Sequence, residues 1–191
     1  MIGDGLKRLL LACSLIVLLA LMACGGPAAR LPVLANDVQS TYLLGPGDSL
    51  RVTVFGESDL SGTFKVADNG MLVMPLVGSV AAAGLSLPDF QKKLVQQLSA
   101  KAVKSPDVTL QIEEYRPFFI LGEVKNPGSY PYVPDMTVLT AVAIAGGFTF
   151  RASEDEVSVT RRRNGTAVEA RGRRDSRVQP GDTIYVYERH F

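Results

Sequence analysis

The side chains able to do chemistry are few in this 191-residue chain, and they are unevenly placed. There are two cysteines, Cys13 and Cys24, one histidine, His190, and no tryptophan. These make no ligand set for a metal, and the pattern asks for no cofactor. The carboxylates Asp48, Glu57, Asp68, Glu123, Asp135 and Asp182 are scattered over turns and hairpins. A glycosidase needs two carboxylates placed across a sugar; no spacing here marks such a pair, so catalysis is not expected. The dense charge is basic. Residues 151–177 hold eight arginines against five acids, a net charge of plus three. Arg161, Arg162, Arg163, Arg171, Arg173 and Arg174 are candidate contacts for acidic sugars, lipid headgroups or an acidic neighbouring subunit. The guanidinium fork suits carboxylate and phosphate. The plainer reading is a solvated hairpin face. Arg162 and Arg163 must point to opposite faces of a strand, so not all of this charge can serve one surface.

The second chemical group is the thiol of Cys24. Seventeen of the first 23 residues are apolar. Lys7 and Arg8 precede a 15-residue apolar run, Leu9 to Ala23, broken only by Ser14. That run is short for a membrane span and suits a cleaved leader. It ends Leu21-Met22-Ala23-Cys24-Gly25, which resembles a lipobox, so residues 1–23 read as a bacterial lipoprotein signal. A thiol at Cys24 takes a diacylglyceryl group by a thioether, and cleavage frees the amine for a further chain. More than one acyl chain is needed for stable anchoring. Gly25 in the next position implies the outer membrane by the sorting rule for lipoproteins. Residues 24–40 read as a flexible tether. Removing Lys7, Arg8 and Asp4 with the leader leaves 18 charges of each sign. That balance carries no nucleic-acid signature.

The elements that must position the remaining side chains start at Thr41. Leu50, Val52 and Val54 alternate with Arg51 and Thr53; Val108, Leu110 and Ile112 with Thr109 and Gln111; Val157 and Val159 with Ser158 and Thr160; Ile184 and Val186 with Tyr185 and Tyr187. Period two predicts strands with one buried face. Ser86-Leu87-Pro88-Asp89 is a helix start, and Phe90, Leu94, Val95 and Leu98 follow at helical spacing. A second helix is predicted from Thr137 to a glycine stop at Gly146-Gly147. Short segregated strands with one helix per half predict an α+β fold. Asn164-Gly165 predicts a hairpin turn.

One motif recurs. Gly45-Pro46-Gly47-Asp48-Ser49-Leu50-Arg51-Val52 is echoed by Gln179-Pro180-Gly181-Asp182-Thr183-Ile184-Tyr185-Val186. Pro-Gly-Asp predicts a type II turn, with Pro fixing φ and Gly supplying a positive one. Each turn should launch an equivalent strand in its own half.

With Tyr42-Leu43-Leu44-Gly45-Pro46-Gly47-Asp48, Val52-Thr53-Val54-Phe55-Gly56-Glu57, Asn69-Gly70, Met74-Pro75-Leu76-Val77-Gly78 and Pro106-Asp107-Val108, the first half resembles the export domain of the outer-membrane polysaccharide export (OPX) family. The second half resembles that family's soluble-ligand-binding β-grasp (SLBB) module. The carrying residues are Leu121-Gly122-Glu123-Val124-Lys125-Asn126-Pro127-Gly128-Ser129-Tyr130 and Ala145-Gly146-Gly147-Phe148. The resemblance places the export domain at 41–115 and a β-grasp-like SLBB domain at 116–191. Pro46, Gly47, Asp48, Gly122, Pro127, Gly128, Gly146, Gly147, Pro180, Gly181 and Asp182 read as turn scaffolding.

The resemblance implies a non-enzymatic subunit of a homo-oligomeric ring that conducts finished polysaccharide across the periplasm. It also implies an inner-membrane polysaccharide co-polymerase as partner. Longer members end in a pore-lining helix. Here four residues follow Tyr187, which suggests a short form that passes polymer to a separate outer-membrane β-barrel. An alternative is a LysM-like peptidoglycan-binding lipoprotein, because Tyr42 to Leu50 also resembles a LysM opening. A LysM unit turns helical at that point, whereas Arg51 to Phe55 alternates like a strand.

Overall fold

The computed structural model describes residues 27–34, 41–101, 103–163 and 165–189. Two α+β units follow one another, each with its own hydrophobic core.

In the first unit, β1 (Ser49–Val54) is the middle strand of an antiparallel sheet, between β2 (Gly62–Lys65) and β5 (Val108–Glu114). A hairpin of β3 (Met71–Met74) and β4 (Gly78–Ala81) joins it through a Val66–Leu72 bridge. Leu50, Val52 and Val54 point inward, as the alternation requires, onto Phe90, Leu94 and Leu98 of helix α1 (Leu87–Lys101). The helix begins as the sequence predicts. Ser86 Oγ accepts from the Asp89 N–H at 3.2 Å, the bond of an N-cap, and donates to the Asp89 carboxylate at 2.6 Å. The residues after Asp48 are thus a strand, against the helix that a LysM unit places there.

In the second unit a five-stranded sheet runs β7-β6-β10-β8-β9. Its strands are β6 (Phe118–Gly122), β7 (Gly128–Tyr130), β8 (Ala152–Arg163), β9 (Thr166–Gly172) and β10 (Thr183–Glu188). β10 pairs parallel to β6 and antiparallel to β8, so the last strand in sequence is the middle strand of the sheet. Helix α2 (Val138–Ile144) covers the inner face, where Phe118, Ile120, Val157, Val159, Ile184 and Val186 are buried. Thr137 caps α2 by accepting from the Thr140 N–H. The helix stops at Gly146 and Gly147, both at positive φ, with the Gly147 N–H donating to the Val142 carbonyl at 2.8 Å.

The expected tether is partly docked. Pro27–Arg30 forms a 3-10 turn against β8 and β9. Val33 bridges Arg171 in parallel, and Ala28 and Leu34 are buried. The Pro-Ala-Ala-Arg-Leu-Pro composition hid this, because the segment docks through backbone bonds to a sheet edge and has no hydrophobic period of its own.

Candidate functional site

The two Pro-Gly-Asp turns have the same geometry. Gly47 and Gly181 take φ of 96° and 83°. The Asp48 N–H donates to the Gly45 carbonyl at 3.2 Å, and the Asp182 N–H to the Gln179 carbonyl at 3.1 Å. Each aspartate then turns back on its own turn. Asp48 Oδ2 accepts from the Gly45 N–H at 2.8 Å, and Asp182 Oδ2 from the Gln179 N–H at 2.7 Å. Both carboxylates are fully buried. A buried carboxylate needs hydrogen bonds and a counter-charge, and the units meet that need differently.

Asp182 is held within its own sheet. Arg161 donates from Nε to Asp182 Oδ1 at 2.9 Å and from Nη2 to Oδ2 at 2.8 Å, a two-pronged pair. Nη2 also donates to the Arg177 carbonyl. Burial pulls the Asp182 carboxyl above the ordinary aspartate range, and the Arg161 guanidinium and the Gln179 N–H pull it back. Arg161 is 5% exposed. It is therefore withdrawn from the expected contact patch, because it follows the inward row of Val157 and Val159.

Asp48 is held from the junction. The Arg116 backbone N–H donates to Asp48 Oδ1 at 2.9 Å, and Arg116 Nη1 to Oδ2 at 3.1 Å. Tyr42 donates its hydroxyl to Oδ2 at 2.6 Å, and Arg116 Nη1 donates to that hydroxyl at 3.0 Å. Arg116 Nε donates across the boundary to the Pro180 carbonyl at 3.0 Å. One guanidinium thus joins the first turn to the second. The glycines make room for it: a Cβ on Gly45 would lie 2.2 Å from Arg116 Nη1, and one on Gly181 2.7 Å from Nε. Tyr115 continues the junction by edge-on ring contacts to Tyr42 at 5.2 Å and Tyr132 at 5.3 Å. Burial, then the bond to Asp48, raises the Tyr42 hydroxyl far above the ordinary tyrosine range. Arg116, Tyr115 and Tyr132 escape sequence reasoning, because one Arg before a Pro has no period and no partner in the local sequence.

The other predicted positions divide into turns and surface. Gly122 takes a φ of 85° and presses on β10, where a Cβ would meet the Val186 carbonyl oxygen at 2.1 Å. Pro127 and Gly128 lead into β7, and that turn is tied to the end of α2. The Lys125 N–H donates to Gly147 and the Asn126 N–H to Ala145, both at 3.0 Å. Arg162 is exposed, Arg163 ends β8, and Arg171 is half-buried at the β9 edge. Arg173 pairs with Asp175 at 3.5 Å, and Arg174 with Glu154 at 2.8 Å and Asp155 at 3.4 Å. Arg177 pairs with Asp135 and Arg151 with Glu188. Local acids therefore answer much of the basic excess. Cys24 lies outside the described residues. Among the described residues, no group of three or more His, Cys, Asp or Glu could hold a metal, and no helix is long and apolar enough to cross a membrane.

Comparison with known proteins agrees with the two-unit layout. Residues 36–113 match the family of polysaccharide biosynthesis/export proteins, and residues 117–170 match the SLBB domain. The chain is 34% identical over 146 residues to the exopolysaccharide production protein ExoF of Rhizobium meliloti (strain 1021), covering 70% of this chain and 32% of that protein. It is 29% identical over 108 residues to the polysialic acid transport protein KpsD of Escherichia coli, covering 56% of this chain and 19% of that one. The chain thus spans about a third or less of the length of these relatives. The SLBB match ends at residue 170, before the second Pro-Gly-Asp turn and β10. With both domains in order and both relatives named for a polysaccharide, the chain belongs to the OPX family of polysaccharide export proteins.

Proposed function

We propose that this protein is a non-enzymatic lipoprotein of a polysaccharide export machine. It is held by acylated Cys24 at the periplasmic face of the outer membrane, where it assembles with copies of itself into a conduit for polymer. The observation that carries this reading is the ordered pair of family domains, joined by one short junction. The relatives' names point to a long carbohydrate, an exopolysaccharide in one and polysialic acid in the other. The junction suits a scaffold, since Arg116 is spent on holding two turns together. An inner-membrane polysaccharide co-polymerase would deliver the chain, and an outer-membrane β-barrel is a candidate recipient.

Deletion of the gene tests the reading. Secreted polymer should fall while polymer accumulates inside the cell; unchanged secretion would reject it. Cys24→Ser tests the anchor separately. It should abolish palmitate incorporation, and continued labelling would reject acylation at this thiol.

A further inference from the structure

The second unit's sheet has an outward face that its own helix does not cover. By strand alternation and register, Phe119 and Leu121 of β6, Tyr185 of β10, and Arg162 and Arg171 of β8 and β9 all point to that side. Leu121 lies beside Tyr185 in the parallel ladder, and the Tyr185 and Tyr187 rings meet edge-on at 4.9 Å. Phe119, Leu121 and Tyr185 remain 43%, 44% and 44% exposed. A sheet face turned to water is ordinarily polar. Besides Thr160, Thr183 and Glu169, this one sets bulky apolar and aromatic groups beside guanidinium groups, a mixture suited to a membrane–water boundary.

The docked segment shows what covers it. The Leu34 N–H donates to the Arg171 carbonyl at 2.8 Å, and the Arg171 N–H to the Pro32 carbonyl at 2.7 Å. From that edge the chain runs back to Pro27–Arg30, which packs against β8 and β9. Ala28 is fully buried there yet belongs to neither hydrophobic core. Ser158, an outward-facing position of β8, is 1% exposed and is covered by Tyr187, whose hydroxyl donates to Ser158 Oγ at 3.3 Å. Packing on β8 and β9 while Ala28 stays outside the inner core places the turn on the outward side of the edge, whereas Leu34 at that edge joins the inner core. Only Gly25 and Gly26 separate Pro27 from Cys24. Three chain steps reach at most about 11 Å, little more than the roughly 5–8 Å of a headgroup layer. We infer that the outward face of this sheet lies against lipid headgroups, with Phe119, Leu121 and Tyr185 at the boundary and Arg162 and Arg171 facing phosphate. The inference rests on acylation of Cys24, and it adds a direction: residues 27–34 are a short strap that sets which side of the second unit meets the membrane.

The natural chain has no tryptophan, so single tryptophans can report the contact. Phe119→Trp and Tyr185→Trp are made in the full-length lipoprotein, with Phe55→Trp as control. Phe55 is 82% exposed just after β1 in the first unit. Each variant is reconstituted into vesicles of phosphatidylethanolamine and phosphatidylglycerol, with and without brominated acyl chains. Bromolipid should quench the fluorescence of Phe119→Trp and Tyr185→Trp and leave that of Phe55→Trp unchanged. Adding Arg162→Glu and Arg171→Glu should reduce the quenching. Absence of palmitate incorporation overturns the anchor and the inference with it. Acylated, vesicle-bound protein in which neither Phe119→Trp nor Tyr185→Trp is quenched overturns the inference alone. So does shielding of the indole in Phe119→Trp that rises with protein concentration in detergent and does not respond to bromolipid, because a second copy then covers the face.

Discussion

Arg116 reaches Asp48 twice, with its backbone N–H at 2.9 Å and its guanidinium at 3.1 Å, and the aspartate it reaches is fully buried. The carboxylate's charge is therefore balanced from beyond the first unit's last strand. The same guanidinium holds Pro180 of the second unit. Charge compensation and inter-unit attachment are one interaction.

Removing that guanidinium should do two things. Arg116→Ala leaves a buried carboxylate without its cation, a loss of about 3–5 kcal/mol for fully buried pairs and about 2–4 here, since the Arg116 side chain is 25% exposed. It also releases Pro180. Thermal unfolding should fall to lower temperature and divide into two transitions. Arg116→Lys should restore the charge but not both bonds, giving an intermediate midpoint. A single unshifted transition in Arg116→Ala would contradict the junction.

Arg161 and Asp182 should behave as a coupled pair. Asp182→Ala strands Arg161, and Arg161→Leu strands Asp182, each at about 3–5 kcal/mol by chemical denaturation. The double substitution leaves no orphan charge. Its cost should be well below the sum of the single ones; additive losses would show that the two side chains do not compensate each other.

Tyr42 should give the fold a pH limit on the alkaline side. Its hydroxyl is raised above the ordinary tyrosine value near 10, first by burial and then by its bond to Asp48. The unfolded chain loses this proton near pH 10 while the folded chain keeps it. Below that pH the group adds no dependence. Above it the folded state binds more protons, so stability falls as pH rises. The drop in urea midpoint between pH 9 and pH 11 should be smaller in Tyr42→Phe than in the parent. Equal drops would place the hydroxyl in solvent.

Two glycines separate steric from backbone cost. Gly78 and Gly122 both take positive φ, at 81° and 85°. A Cβ on Gly78 meets nothing within 4 Å, whereas one on Gly122 strikes the Val186 carbonyl. Gly78→Ala should cost about 1–2 kcal/mol of strain. Gly122→Ala should cost more and break the pairing of β6 with β10, read as faster amide exchange at Glu123, whose N–H donates to Val186 at 3.0 Å.

Much of the fold was legible because one-sided burial writes a period into the chain. Leu50, Val52 and Val54 had to share a face, and Ser86 announced its helix by chemistry confined to four residues. The repeated Pro-Gly-Asp announced two equal turns for the same reason. The balance of charge was not legible. Arg161 looks like one of three surface arginines until β10 brings Asp182 to it from 21 residues away. Arg116 carries no local signal, because its partners at Tyr42, Asp48 and Pro180 are 74, 68 and 64 residues distant. The strap at 27–34 was hidden because it docks by backbone pairing to an edge and by two isolated side chains, Ala28 and Leu34, that make no period.

The central place of β10 governs when the second unit can exist. β6 and β8 touch through β10, so before that strand arrives the sheet is two separate ribbons, β7-β6 and β8-β9. A chain made from its first residue onward has every strand of the first unit by residue 114 and waits until residue 188 to close the second. A product cut short in synthesis would carry two long open edges and a buried-type arginine with no carboxylate to meet. Open edges invite pairing between chains. β10 thus makes completion of the second unit a condition of that unit's order.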